Sequence, residues 1–395
     1  MDTRSCSKVR LPDDRAEVRM SQLRLLYTNF HAGSGGGHTT YVRELARSLA
    51  SQHEIHVAAP AGSRLLAEAA KLPGVKAVAQ SFPNGVRRLR DRAMAVRKLR
   101  DYLQRYRFDV VHVNGSADHR LVIAALRGMS PRPRIVLTKH NTKPLRGLHH
   151  IWRARRHTDL AIAVCEHVRL LLEATPYRVA RPLTIHNGVD TQHFAPLSAE
   201  DAHTQRARFA PDDDCLVLGS NAGTADYKGW TDLVAALGLL SADERRRVQV
   251  VIAGHPPSER QRAAVRDGGM EAQFHFPGLL EDVRPMIAAL DAGFVLSHDI
   301  ETISFACREM MAMGKPVMVT DYAGLPENLH PGEDGWVVPV HDYEAMAATV
   351  RWMLGHRDAL ERMGRAARSH ALAEFGIERF AAATEAAYRA ALAAG

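Results

Sequence analysis

The sequence predicts an α/β protein made of two doubly wound domains facing a central cleft. Three observations predict it. Short β-rich apolar runs alternate with segments of helical period, the pattern of parallel sheets covered on both faces. At 395 residues the chain exceeds what one ordinary core accommodates. The alternation also stops at "TQHFAPLSAEDAHTQRARFAPDDD" (191–214), a polar stretch holding Pro196 and Pro211, and then restarts.

The elements follow in order. Residues 1–19 are mixed in charge and lack an apolar h-region, so they read as a disordered leader and not as a signal peptide. The first domain (20–195) opens with strand "LRLLYTNF" (23–30), a glycine loop and helix "TTYVRELARSLASQ". Strand "EIHVAAP", a basic helical stretch, strand "FDVVHVNG", helix "RLVIAALRGM" and strand "RIVLTKHN" come next. "DLAIAVCEHVRLLLEA" reads as strand, turn and helix, and "RPLTIHNGVD" as a further strand with its exit loop. The second domain (196–375) repeats the scheme through "CLVLGSNAG", "RVQVVIAG", "FHFPGLL", "AGFVLSH", "PVMVT" and "GWVVPV". A terminal helix (376–395) is placed as one able to return to the first domain. In such Rossmann-like sheets ligands bind beyond the carboxyl ends of the strands, so two facing domains share one cleft.

Composition narrows the class. Hydrophobic residues make up 46% and charged residues 24%, as in a globular protein, and no apolar stretch reaches the roughly 18–20 residues that span a bilayer. Four scattered cysteines without a C-x-x-C pair point to reduced thiols and a cytoplasmic setting. The net charge of +8 is concentrated: residues 86–107 hold nine Arg/Lys against two Asp, and 132–156 is also basic. Such patches suit nucleic acid, an anionic membrane surface or an acidic substrate. Few aromatics accompany them and no RNA module is recognisable, which disfavours nucleic acid.

"HAGSGGGHTTYV" follows the first strand directly. Gly35, Gly36 and Gly37 let backbone N–H groups approach a ligand at the next helix's positive end. His38 stands where the dinucleotide fingerprint needs its third glycine, and "HVAAP" lacks the acid that would hold a ribose, so a nicotinamide enzyme is disfavoured. "LTKHNT" brings His140 to a strand end, where it is either a structural histidine or a ligand contact. "NAGTADYKGW" puts Lys228 after the second domain's first strand, either as a surface lysine or as a phosphate cation. In "HDIETISFACREMMAMGKPVMV" (298–319) a helix is expected from about Ile303 to Phe305. Glu301 then lies in the loop and Glu309 in the helix, about 80° apart in projection, so both can face the cleft. Phe305, Met310 and Met313 are expected to pack inward. The N–H groups of Ser304, Phe305 and Ala306 are left to meet phosphate or sugar oxygens.

The Glu-x7-Glu spacing with its trailing "MAMGKPV" resembles the retaining nucleotide-sugar glycosyltransferases of the GT-B fold, in particular bacterial lipopolysaccharide and mannosyl transferases. "IHNGVDTQHFAP", "GLPENLHPGEDGWVVPVHDYEAMA" and "GSGGGHTTYVRELARSLA" are similar to further segments of that family, so the likeness runs from about residue 23 to 385. The resemblance implies that Glu301 contacts donor-sugar hydroxyls, Glu309 the nucleotide ribose, Lys228 the diphosphate, and His140 the donor sugar. It assigns Gly35 to Gly37 to phosphate or acceptor. The arginine usual after the second domain's first strand is replaced here by Ser220 or Asn221. The glycine usual within the Glu-x7-Glu segment is missing near Ser304.

The resemblance further implies transfer from a nucleoside diphosphate sugar to a glycan or lipid-linked acceptor, with no metal, no other cofactor and no protein nucleophile. "PDDDC" (211–215) lies in the linker and is not taken as a metal site. The basic stretch 86–107 could dock on an anionic inner leaflet, bind a phosphorylated acceptor, or be a solvated helix packed on the sheet. A nucleotide-sugar epimerase of the same fold is the alternative enzyme.

Overall fold

The computed structural model describes residues 22–33, 36–84 and 88–394. The predicted leader, Gly35 and residues 86–87 of the basic stretch lie outside them. Two all-parallel sheets carry the chain. The first has seven strands: β1 (Arg24–Thr28), β2 (Glu54–Ala59), β3 (Val75–Ala79), β4 (Val110–Val113), β5 (Arg134–Lys139), β6 (Leu160–Ala163) and β7 (Leu183–Thr184). Their spatial order is β3-β2-β1-β4-β5-β6-β7. The second has β8 (Leu216–Ser220), β9 (Val248–Ala253), β10 (Phe274–Gly278), β11 (Ala292–Val295), β12 (Val317–Thr320) and β13 (Gly335–Val338), in the order β10-β9-β8-β11-β12-β13.

Continuous apolar runs form these strands because helices cover both faces. β4 and β9 are buried at every residue. Each sheet reverses its order once, between β1 and β4 and between β8 and β11, and a crevice opens there beyond the carboxyl ends. The segments leaving those four strands are the glycine loop, Asn114–Gly115, Asn221 and His298–Glu301. Topology thus gathers the motifs.

Three details differ from expectation. Strand β3 was not anticipated, because "VKAVA" is only half-buried at the sheet edge and alternates weakly. The polar connection 191–214 contains a helix, Ala199–Arg206, whose Ala202 packs with Phe194 and Leu197 on the second core. Phe305 does not turn into its own domain; it packs against the first domain's core, its ring 3.8 Å from where a Cβ on Gly37 would sit.

The two halves are tied in several places. Helix Ile377–Ala393 buries Ile377, Phe380 and Tyr388 in the first core, where the Tyr388 hydroxyl lies 2.6 Å from His112 Nδ1. Arg308 is fully buried between the domains. Its Nε donates to Asn328 Oδ1 at 2.8 Å, another guanidinium nitrogen donates to the Asn187 carbonyl, and its plane lies 4.0 Å over the Phe375 ring. Burial pulls its pKa down to about 10. Glu327, from the second domain, caps a first-domain helix: it accepts from the N–H groups of Glu166 (2.6 Å) and His167 (2.8 Å). A carboxylate at a helix N-terminus satisfies orphan donors and the dipole together. Glu327→Ala is expected to cost roughly 1.5–3 kcal/mol in chemical denaturation. A loss under about 0.5 kcal/mol would show that the cap contributes little beyond a surface ion pair.

Candidate active site

A cleft of about 520 Å³ separates the domains, and residues from four strand ends line it. From the second domain come Asn221, Lys228, Glu301, Ser304, Phe305, Ala306 and Glu309; from the first, Gly37 and His140. Gly36 borders an adjoining pocket of about 800 Å³, which shares Asn221 and Lys228 with the cleft. Of the residues singled out in the sequence only Gly35 falls outside the described chain.

Lys228 ends a single 3-10 turn, Asp226–Lys228, and Gly229 follows in the left-handed region at φ 66°. A Cβ on Gly229 would come within 2.0 Å of the Leu296 carbonyl oxygen, so the glycine lets the turn pass close under the end of β11. That approach brings the Lys228 ammonium 2.5 Å from Glu301 Oε2, with both side chains largely shielded from water. Glu301 owes its place to a strained loop. Ile300, β-branched, sits at φ 62°, a conformation costing of order 1–3 kcal/mol, and the Glu301 N–H reaches back to the Asp299 carbonyl at 2.7 Å.

Helix Phe305–Ala312 begins where the sequence predicted. Its Ser304 side chain accepts from the Cys307 N–H, and among the described residues no side chain caps the N–H groups of Phe305 and Ala306, both of which line the cleft. Helix Gly37–Leu49 starts without a side-chain cap and without an acid in its first turn. Two helix ends of positive character therefore flank the same space. Glu309, half-buried, accepts from Asn221 Nδ2 at 2.5 Å, and burial pushes its carboxyl up to about 7 against that hydrogen bond. Asn221 Oδ1 is buried with no hydrogen-bond partner. The departure at the usual arginine thus has a local explanation: Asn221 serves Glu309, and Lys228 and Lys143 are the lysines of the cleft.

Opposite them, His140 Nε2 lies 2.8 Å from Asn114 Oδ1. The Asn114 side chain in turn donates to the Thr28 carbonyl, and its backbone N–H to buried Asp118. Burial, and then the neighbouring His38, holds His140 well below the usual histidine range, so it presents a neutral ring. His38 is pulled down to about 3 by burial and by His31. Tyr41 meets His140 edge-on at 4.7 Å.

Sequence reasoning missed several cleft residues. Asn187 of the "HNGVD" segment is buried at the cleft with Oδ1 unpartnered. Thr302 donates through Oγ1 to the His140 carbonyl at 3.2 Å and so joins the Glu301 loop to the first domain. The adjoining pocket is walled by Gly254, His255 and Leu280 at the ends of β9 and β10. The strand-end rule that located His140 would also have found Gly254 and His255 in "VVIAGHP". Thr302 lacked any such signal.

Two family models match the chain: Glycosyltransferase Family 4 over residues 35–193 and Glycosyl transferases group 1 over residues 213–356. The chain is a GT-B glycosyltransferase of the family 4 type. This glycosyltransferase is 27% identical over 325 residues to the phosphatidyl-myo-inositol mannosyltransferase of Mycolicibacterium smegmatis, covering 80% of each chain. It is 24% identical over 289 residues to the putative glycosyltransferase EpsD of Bacillus subtilis, covering 70% of this chain and 75% of that one. Among solved structures, a glycosyltransferase from Rickettsia africae superimposes with a TM-score of 0.82 at 17% identity, over 94% of this chain and 99% of that one. Anabaena Alr3699/HepE, crystallised with UDP and glucose, gives 0.77 at 16% identity, over 93% and 99%. At those identities the structures establish the shared fold of this glycosyltransferase.

Proposed function

We propose that this glycosyltransferase moves a sugar from a nucleoside diphosphate sugar to a glycan or lipid-linked acceptor, with retention of anomeric configuration and without a metal ion. A role in assembling a bacterial lipopolysaccharide or other surface polysaccharide, at the cytoplasmic face of a membrane, fits the same reading. The observation that carries it is the convergence of Lys228, two helix N-termini, Glu301 and Glu309 on one cleft. The neighbour crystallised with UDP and glucose lends support to such a donor.

Lys228 and the free helix N–H groups supply the positive charge that a departing diphosphate needs. On donor binding the diphosphate takes Lys228 from Glu301, whose carboxylate then accepts from sugar hydroxyls. Glu309 accepts from the ribose, with Asn221 holding it in place, and the pocket beside Gly254 and Leu280 takes the base. His140, neutral, hydrogen-bonds the sugar from the first domain. The bond from the anomeric carbon to the phosphate oxygen breaks, and the acceptor oxygen bonds that carbon from the same face. The acceptor's proton passes to the departing phosphate oxygen, so no protein nucleophile is needed. The one group of potential metal ligands among the described residues, His330, Asp334 and His370, does not line the cleft.

A thermal-shift panel of UDP-, GDP- and ADP-sugars tests the site. One donor should raise the midpoint, and Glu309→Ala or Lys228→Ala should remove the shift. A stabilising nucleotide whose effect survives both substitutions would reject these assignments.

A further inference from the structure

The connection between β12 and β13 carries chemistry that no step at the cleft uses. Its segment "HPGED" (330–334) folds back tightly. The Glu333 and Asp334 N–H groups donate to the His330 carbonyl at 3.0 and 3.2 Å, and Gly332, at φ 85°, donates to the Gly335 carbonyl at 2.8 Å. The fold-back sets His330 beside Asp334, whose Oδ1 accepts from the His330 N–H at 2.7 Å. His370 meets both from near the end of helix Arg357–Glu374. Each of the three offers one donor atom, and those atoms all lie within 4.8 Å of one another.

Hydrogen bonding explains only part of this arrangement. The Asp334 side chain is 1% exposed, and His370 Nδ1 lies 2.6 Å from its Oδ2, as in an ordinary buried pair. His330 is the surplus member. Its side chain, 62% exposed, is free to turn into water, yet its Nδ1 stays 3.7 Å from the same Asp334 oxygen. Its ring stacks on that of His370, with centroids 4.1 Å apart and planes at 11°. A separation of 3.7 Å is too long for a hydrogen bond. It is close to the roughly 3.4 Å edge of a tetrahedron built on metal bonds of about 2.0–2.1 Å.

The donor set points to a class of ion. Two imidazoles and one carboxylate suit zinc and its borderline divalent neighbours, whereas calcium and magnesium take oxygen shells. The exposed side of His330 leaves a fourth position to water. Contacts behind the ligands hold them in place: the His330 N–H fixes Asp334 Oδ1, and the His370 ring packs on Phe375 at 4.8 Å.

We infer that His330, Asp334 and His370 bind one zinc-like divalent cation, which clamps the β12–β13 connection to helix Arg357–Glu374. Both clamped elements lead to the domain junction. Just before His330, Glu327 caps the first-domain helix and Asn328 accepts from Arg308. Just after His370, the Phe375 ring lies under Arg308, and its carbonyl accepts from the Val189 N–H at 2.8 Å as the last helix crosses to the first domain. The cation therefore braces the junction from the second-domain side. It stands apart from the transfer, because none of its three ligands lines the cleft.

Calorimetric titration of the metal-stripped, tag-free full chain with zinc chloride tests the inference. One cation per chain should bind with a micromolar dissociation constant, and magnesium should give no such heat. Zinc at about 100 times that constant should raise the thermal midpoint by about 3 °C or more, because only the folded chain assembles the site. Cobalt(II) should show the visible absorption of a four-coordinate ion. His330→Ala removes an exposed side chain, so the metal-free midpoint should hold while zinc affinity falls about tenfold or more. His203→Ala, at an exposed histidine of helix Ala199–Arg206, is the control and should change affinity less than about twofold. Four results would overturn the inference: no saturable zinc binding, equal losses in the two variants, magnesium binding as tight as zinc, or bound zinc that leaves the midpoint unmoved. The donor panel reads the cleft alone, so its failure would leave this site standing.

Discussion

Lys228→Ala should lower kcat/KM about 10²- to 10³-fold, the loss seen when one preorganised charge is removed from a developing anion. The cleft offers few substitutes. Its histidines His31, His38 and His140 are held below their usual range by burial, and Lys143 stands on the opposite wall. The same substitution leaves the Glu301 carboxylate without its 2.5 Å partner in a shielded place, so some stability is lost too. A doubly neutral pair, Lys228→Met/Glu301→Gln, separates the effects, because residues in one ion pair couple. It should restore the thermal midpoint while activity stays low. Restored activity would make the pair structural and remove Lys228 from the chemistry.

The second large effect is a pH dependence in donor binding. Glu309 has its pKa raised to about 7 by burial, so in the empty cleft the carboxyl is mostly protonated below that pH and ionised above it. Ribose hydroxyls donate, and a carboxylate accepts better than a carboxyl group, so the donor selects the ionised form. Affinity should therefore rise with pH toward about 7, by up to tenfold per unit below it, and level off above. Binding near neutral pH should release a proton, read as a calorimetric enthalpy that varies with the ionisation enthalpy of the buffer. The apo protein responds in the opposite sense. An acid whose folded pKa lies above its unfolded value stabilises the fold most at low pH, and that contribution is lost as pH rises from about 4.5 through 7. Glu309→Gln should flatten both profiles. Affinity already constant across that range in the wild type would mean that Glu309 does not accept from the donor.

The pair that spacing singled out does occupy one cleft, but its members do different things there. Helical geometry could say that Glu301 and Glu309 share a side. It could not say that Glu301 meets Lys228, 73 positions earlier, or that Glu309 is held by Asn221, 88 positions earlier. Phe305 shows the limit from the other direction. Its apolar character predicted burial, and it is half-buried, but against the other domain. Glu327 looked like part of a loop motif and proves to cap a helix whose sequence lies 161 residues before it. The basic stretch read as helical on its own, whereas Arg92 within it shares a pocket with Arg120 and Arg153 of two other helices.

By itself the chain determined most of its strands and helices, their parallel arrangement, and which loops would emerge at the carboxyl ends, but not edge strand β3 or the helix Ala199–Arg206. Those follow from periodicity and chain order, which are local or nearly so. Tertiary structure alone decided which side chains meet, how deeply each lies, and hence which carboxyl is raised. Distance and desolvation govern those properties, and both arise only when residues far apart in the chain are packed together.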